Sequence, residues 1–137
     1  MDVALYDILP IVAALSFIAF GISQAFAAPR PGKGWQVAAA LSALFLAWTV
    51  WAVWREGPLG FWTQHVQDAW GVQIWLDLLL GVGLAVALLA PRARAVGMRP
   101  LPWFLLVAGA GSVGLLAMLA RCLFLEERAA LKPVQGH

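Results

Sequence analysis

The stretch "LPWFLLVAGAGSVGLLAMLARCLFL", residues 101–125, holds 25 residues with a single formal charge, on Arg121. An α-helix needs about 20 mostly apolar residues to cross the hydrocarbon core of a bilayer. Similar apolar runs precede it at residues 8–28, 37–54 and 72–90. Because lipid offers the backbone no water, such runs are expected to be helices. The sequence therefore predicts an all-α integral membrane protein with four transmembrane helices in an up-down bundle.

The overall composition favours the same class. The chain has 137 residues, of which 63% are hydrophobic and 12% are charged, and its mean hydropathy is +0.84. Soluble domains carry about 25% charged residues. The net charge of +2 comes from basic clusters between the apolar runs, a pattern of membrane topology and not of a nucleic-acid binder. We expect one transmembrane domain over residues 1–137, with a tail at 126–137.

Basic residues in two short connections predict the orientation. They are Arg30, Lys33, Arg92, Arg94 and Arg99. Lys and Arg in short loops favour the cytoplasmic side of a membrane. In a four-helix up-down bundle both connections fall on one side, so we expect that side to be cytoplasmic. Both termini and the middle connection would then lie outside the cytoplasm, in a bacterial inner membrane.

The first apolar run ends in "AFAAPRP", which resembles a signal-peptide cleavage site at Ala25 and Ala27. A signal peptide has a positive N-terminal region, whereas residues 1–7 contain Asp2 and Asp7 and no Lys or Arg. The apolar run is also longer than the apolar region of a typical signal peptide, which has roughly 7–15 residues. We expect an uncleaved first helix.

The stretch "GFWTQHVQDAWG", residues 60–71, has two interpretations. Its aromatic and polar residues follow helical spacing, which favours a short amphipathic helix at the outer membrane surface. It is equally typical of a loop whose tryptophans anchor it at the interface.

Asp77 stands alone in the apolar run "QIWLDLLLGVG", with Gln73 one helical turn before it. A charged side chain near the centre of a span costs roughly 2.5–3.5 kcal/mol. In an up-down bundle Arg121 comes to a similar depth, so we predict an Asp77–Arg121 ion pair completed by Gln73, with Tyr6 or Asp7 as further members. Such a pair is a helix clamp, part of a ligand or accessory site, or part of an ion path.

Tryptophans supply a second candidate site. Trp48 and Trp51 share a face of the second helix with Arg55, at spacing i, i+3, i+7, and Trp75 lies in the third helix. Trp48, Trp51 and Trp75 form a candidate face for a flat apolar ligand such as a quinone or carotenoid. Ordinary packing or lipid contact explains the same residues.

The stretch "GAGSVG", residues 109–114, matches the dinucleotide-binding pattern G-x-G-x-x-G. That pattern requires a strand before it, whereas here the glycines lie mid-way along an apolar helix. Small residues let membrane helices approach closely. We therefore interpret the glycines of the third and fourth runs as packing positions, namely Gly81, Gly109, Gly111 and Gly114.

Enzyme chemistry has little support. Cys122 is the single cysteine, and the serines of the apolar runs have no neighbouring histidine. His65 and Asp68 are spaced i, i+3, but two ligands are too few for a specific zinc site. We expect no catalytic residues, no bound metal and no cofactor.

Three motifs carry a resemblance to a known family. They are "WLDLLLG" at residues 75–81, "RARAVGMR" at 92–99 and "LFLEER" at 123–128. In order and spacing the chain from about Val37 to Leu131 resembles a bacterial family of small multi-helix membrane proteins catalogued as a domain of unknown function. The resemblance implies that Asp77 and the turn Gly97-Met98-Arg99 are family features. Arg92 stands where the family has an acid, an additional helix precedes the match, and Arg121 lies outside the pattern.

Three functions remain open at this point. The first is a structural or accessory component of a membrane complex, with other membrane subunits or a second copy as partners beside the bilayer itself. The second is a binder of an apolar cofactor or lipid. The third is a small ion or proton transporter, for which few polar residues are present at mid-depth.

Overall fold

The computed structural model of the protein describes residues 2–26 and 34–131, and every regular element in these ranges is a helix. The helices are α1 (Asp2–Phe26), α2 (Gly34–Glu56), α3 (Gly60–His65), α4 (Ala69–Ala95), α5 (Pro100–Ala110) and α6 (Ser112–Ala130). The chain divides into two compact units, Met1–Pro31 and Gly32–His137. The helical fold predicted from the sequence is confirmed.

Three of the helices are long and apolar enough to cross a membrane. They are α1, over Tyr6–Ser23, and the whole of α2 and α4. At 1.5 Å per residue, the 23 residues of α2 and the 27 of α4 extend about 35 and 40 Å, more than the roughly 30 Å of a hydrocarbon core. Their side chains are mostly exposed, as expected for helices surrounded by lipid.

The fourth predicted span is replaced by a helical hairpin. The chain reverses at Gly111, whose φ of +55° is a conformation that favours glycine, and α5 and α6 lie against each other on either side. With 11 residues, α5 is about 16 Å long and too short to span a bilayer. The last turns of α6 hold Glu126, Glu127 and Arg128. The single helix predicted at 101–125 is therefore wrong, because apolar composition does not report a turn made by one glycine.

Helix α6 forms the centre of the second unit and runs antiparallel to α2. Near the start of α2, the Trp35 ring meets the Phe124 ring edge to face, with 5.2 Å between their centroids. Two turns further along α2, the buried Ser42 hydroxyl donates a 2.9 Å hydrogen bond to the carbonyl oxygen of Val113, at the other end of α6. The start of α2 thus lies at the same end of the unit as the end of α6.

Helix α4 runs parallel to α6 where the two touch. A buried cluster joins Leu89 and Ala93 of α4 to Met118 and Cys122 of α6, together with Met98 from the following turn. Met118 and Cys122 are completely buried. The turn at Gly111 explains why α4 and α6 are parallel. Helix α5 runs antiparallel to α4, and α6 runs antiparallel to α5.

The turn between α4 and α5 explains the "GMR" motif in physical terms. The Met98 N–H donates to the Ala93 carbonyl at 2.9 Å, and the Gly97 N–H donates to the Arg94 carbonyl at 3.0 Å. These two bonds form a Schellman cap, which needs the left-handed conformation that Gly97 adopts at φ +79°. Met98 then enters the buried cluster, and Pro100 begins α5.

A short helix, α3, precedes α4 in the predicted amphipathic stretch. Asp68 caps α4 by accepting a 2.7 Å hydrogen bond from the Gly71 N–H. A Cβ at Gly71 would lie 2.9 Å from the His65 carbonyl oxygen, so the α3–α4 junction is tight. A helix thus occupies only Gly60–His65 of this stretch, and its location at a membrane surface stays a prediction.

Candidate functional site

Asp77 lies on the side of α4 that faces away from α6. Five residues spaced three or four positions apart share this side of the helix. We call them the acid face of α4: Gln73, Asp77, Leu80, Leu84 and Leu88. All five are exposed, Leu80 to 74%. The Asp77 carboxylate has no ion pair or side-chain hydrogen bond with any residue in the described ranges. One carboxylate and one amide thus lie within an otherwise apolar, exposed surface of α4.

The predicted ion pair between Asp77 and Arg121 does not form. Arg92 of α4 meets Glu126 of α6, and Asp77 is 15 residues before Arg92, or about 22 Å along the helix. Arg121 is only five residues before Glu126, about 8 Å. The prediction assumed that α6 runs antiparallel to α4, and the turn at Gly111 reverses that direction. Gln73 remains beside Asp77 on the acid face.

Arg121 belongs instead to an aromatic and basic group at the end of α6. Its guanidinium carbon lies 5.7 Å from the centroid of the Phe124 ring, and that of Arg128 lies 5.1 Å from the same centroid. The Trp35 ring contacts Phe124 from α2. We call these residues the Phe124 cluster. Its two arginines flank one ring because i−3 and i+4 positions lie on the same face of a helix.

An ion pair that the sequence did not predict joins α4 to α6. The Arg92 Nε and Nη2 atoms donate to the two carboxylate oxygens of Glu126 at 3.1 and 2.8 Å, the bidentate geometry of a strong pair. This hydrogen bonding lowers the pKa of the Glu126 carboxyl from its ordinary value of 4.5. The Cys122 thiol also donates to Glu126, at 3.6 Å. Opposite charges in "PRAR" and "LEER" were a signal for the pair, but the predicted topology put them on opposite sides of the membrane.

The structure divides the three predicted ligand-binding tryptophans. Trp48 and Trp51 are half-buried on α2 with their ring centroids 4.8 Å apart, and the Arg55 guanidinium lies 5.5 Å from the Trp51 ring. Trp75 contacts the α3 rings of Phe61 and His65, at 5.7 and 5.4 Å. Trp75 therefore packs with α3, while Trp48 and Trp51 form a pair of their own.

Three of the five basic residues proposed as topology signals lie at one end of the second unit. Arg92 and Arg94 are in the last turn of α4, and Arg99 immediately precedes α5. Arg94 and Arg99 are exposed. Arg30 and Lys33 lie outside the described residues. Because α6 ends at this same end, Arg121 and Arg128 add to its positive charge.

The four glycines proposed as packing positions have different surroundings. A Cβ at Gly114 would lie 2.7 Å from the Leu106 carbonyl oxygen, so the backbones of α5 and α6 touch here. Gly111 makes the turn between them. At Gly81 and Gly109 nothing lies within 4 Å of an added Cβ. Only Gly114 thus has the close backbone approach that the packing interpretation requires.

His65 and Asp68, weighed as metal ligands, have other contacts. The His65 Nδ1 atom is 2.6 Å from the Phe61 carbonyl oxygen, and the Asp68 carboxylate caps α4. Within residues 2–26 and 34–131, no three side chains of the metal-binding types come together.

Comparison with protein families, with curated proteins and with solved structures found no match to this chain. The resemblance to a bacterial membrane-protein family therefore remains a prediction from its three motifs.

Proposed function

We propose that this protein is an integral component of a bacterial inner-membrane complex, in which the acid face of α4 binds a transmembrane helix of another subunit. The observation that carries the proposal is the exposure of Asp77, on a helix long and apolar enough to cross a membrane. Asp77 is eight residues, or about 12 Å, from the start of α4. A carboxylate at that depth is costly unless a partner supplies a charge or hydrogen bonds.

The chemistry of the face indicates the kind of partner. A carboxylate and an amide one turn apart accept and donate hydrogen bonds, and the rest of the face is leucine. A second copy related by a two-fold axis along the membrane normal would bring Asp77 near Asp77, where two negative charges repel. A different subunit with an arginine, lysine or hydroxyl at the same depth satisfies the carboxylate.

The same proposal includes a topology. With α1, α2 and α4 as spans and the α4–α5 turn in the cytoplasm, the α5–α6 hairpin enters the membrane from the cytoplasmic side and returns to it. The start of α1 then lies outside and the end of α6 lies inside, which differs from the two external termini predicted from four spans. The parallel course of α4 and α6 supports this arrangement.

Site-specific photo-crosslinking in native membranes tests the partner. A photoreactive residue at Leu80, one turn from Asp77, should capture a discrete protein partner. The same residue at Leu44, which is 70% exposed on α2, serves as the matched control. Asp77→Leu should reduce the Leu80 product about tenfold or more, since a hydrogen bond to a charged group contributes about 1.5–3 kcal/mol. Asp77→Glu should retain most of it.

Two results would contradict the proposal. The first is a Leu80 product that Asp77→Leu leaves unchanged, because the acid would then have no part in binding. The second is the absence of any protein product at Leu80 when the protein is at its native level, because the face would then contact lipid alone.

A second candidate function, binding of a flat apolar molecule, rests on the pair of half-buried rings at Trp48 and Trp51. Gentle detergent extraction followed by absorbance spectra and lipid extraction tests it. A quinone or pigment that copurifies with the protein and is lost in Trp48→Leu would support this function.

A further inference from the structure

The Phe124 cluster joins two positive charges that have no acidic partner among the described residues. The structure describes both Arg121 and Arg128, and neither guanidinium forms an ion pair with a described carboxylate. Glu126 is engaged by Arg92, and Glu127 forms no ion pair with either arginine. Both arginines are exposed. Two guanidinium groups beside one ring thus present a positive charge that the described part of the protein does not neutralise.

The ring holds these charges without using their hydrogen-bond donors. Each guanidinium contacts Phe124 as a cation beside an aromatic ring, and the Trp35 ring meets the same ring edge to face. A guanidinium has five N–H donors in a planar fork that fits a phosphate. Neither arginine donates a hydrogen bond to a described residue. The donors are therefore available to an external anion.

The position of the cluster indicates where that anion comes from. Trp35 is the second residue of α2, which is long and apolar enough to be a span, so the ring contact lies at one end of that span. Tryptophan favours the level of the lipid headgroups. Beyond Trp35, Val37 and Leu41 are exposed on α2 and offer an apolar surface for an acyl chain. Phosphate and acyl chain are parts of one molecule, a phospholipid.

We infer that the Phe124 cluster, with Arg121, Arg128 and Trp35, is a binding site for the headgroup of an anionic phospholipid. The two guanidiniums bind the phosphate and any further anionic or hydroxyl group of the head, and α2 contacts the chain. Basic sites beside spans on the cytoplasmic side are suited to such lipids. The site is at the opposite end of α4 from Asp77 and is independent of the proposed partner.

Native mass spectrometry of the full chain in a non-ionic detergent tests the site. The probes are a phosphatidylglycerol and a phosphatidylcholine with the same chains, and inorganic phosphate. Both lipids carry a phosphate, but the choline cation of phosphatidylcholine neutralises its headgroup and is repelled by the two guanidiniums. Phosphatidylglycerol should therefore bind about tenfold more tightly than phosphatidylcholine. Arg121→Gln and Arg128→Gln should each remove most of this preference.

Arg94→Gln is the matched control, since Arg94 is an exposed arginine at the same end without an aromatic contact. It removes the same charge and should keep the preference for phosphatidylglycerol. Circular dichroism of each lipid-free variant establishes that it is folded. If Arg121→Gln does not fold, Phe124→Leu replaces it, because loss of the ring should release both guanidiniums and reduce the preference.

Three outcomes would overturn the inference. Equal binding of the two lipids would show that the headgroup charge is not recognised. An equal loss of the phosphatidylglycerol preference in Arg94→Gln and Arg121→Gln would show that the preference depends only on the total positive charge of this end. Displacement of phosphatidylglycerol by inorganic phosphate at equal concentration would indicate a simple anion site without a contribution from the chain.

Discussion

At the scale of single residues, two glycines of the "GAGSVG" stretch form the hairpin in different ways. Gly111 supplies a positive φ, and Gly114 supplies the absence of a Cβ where two backbones meet. Gly111 is needed for the local backbone conformation, whereas Gly114 is needed because the backbone of α5 lies against it. A pattern that resembled a phosphate-binding loop is thus explained by the fold of two helices.

The contact at Gly114 leads to a stability prediction. Gly114→Ala should lower the free energy of unfolding by about 1–3 kcal/mol, because a Cβ there meets backbone atoms of α5 at 2.7 and 2.8 Å. Gly109→Ala is the control, since nothing lies within 4 Å of its Cβ. Thermal unfolding in detergent measures both. Equal melting temperatures for the two variants would argue against the close contact.

Asp77 leads to a prediction of the opposite sign. If its partner is another subunit, the isolated protein holds an unpaired acid against lipid. Asp77→Leu should then raise the stability of the isolated protein, by up to the roughly 2.5–3.5 kcal/mol of a charge at the bilayer centre. Unfolding by SDS in bicelles measures this change. A loss of stability would indicate a partner within the protein itself.

At the scale of elements, the ion pair between α4 and α6 depends on the direction of α6. Arg92 and Glu126 are 34 residues apart in sequence and meet because both helices end on the same side. The side chains remain 49% and 34% exposed. The pair therefore contributes modestly to stability.

A double-mutant cycle measures that contribution. Arg92→Gln and Glu126→Gln should each destabilise the protein, and the double variant should recover a coupling energy of about 0.5–1 kcal/mol. Arg94→Gln combined with Glu126→Gln is the control and should be additive, since Glu126 bonds Arg92. If the control cycle gave the same coupling energy, the coupling would reflect the overall charge of this end and not a specific Arg92–Glu126 contact.

The pair also makes stability depend on pH. Because the hydrogen bond from Arg92 lowers the folded-state pKa of Glu126 below 4.5, its contribution is complete above that pH and is lost as the pH falls through the lowered value. Wild-type protein should lose more stability than Glu126→Gln between pH 6 and this acidic range. Identical pH profiles in detergent would contradict the ion pair.

At the scale of the whole molecule, the ends of the described helices form two contrasting surfaces. Arg92, Arg94, Arg99, Arg121 and Arg128 are at one end of the second unit, close to the start of α2. The other end holds the α2–α3–α4 connection. Because Lys and Arg in short loops favour the cytoplasmic side, the proposed topology puts this basic end in the cytoplasm.

Cysteine labelling tests the proposed topology. In a Cys122→Ala background, impermeant maleimide applied outside intact cells should label a cysteine at Pro58. Cysteines at Val96 and Leu131 should both be protected, because the hairpin returns the chain to the side of the α4–α5 turn. Labelling of Leu131 together with Pro58 would restore the predicted fourth span and exclude a re-entrant hairpin.

Particular residues show how far sequence reasoning reached. The apolar runs that became α2 and α4 were located to within a few residues, because their length and hydropathy are local properties. The exposure of Asp77 and the pairing of Arg92 were missed, because each depends on which helix lies beside α4. The sequence around Gly111 is also compatible with a continuous helix. The prediction therefore gave the helix that carries Arg121 the wrong direction and put Arg121 at the wrong end of the bundle.

The sequence by itself determined that this chain forms apolar helices suited to a bilayer and which connections carry its arginines, since both follow from composition along the chain. Only the tertiary structure decided that α6 turns back beside α4, that Glu126 meets Arg92, and that Asp77 faces outward. The physical reason is the single backbone conformation at Gly111. The sequence around Gly111 gives little indication of this conformation. The conformation nevertheless sets the direction of the 19 residues of α6 and so decides which residues they contact.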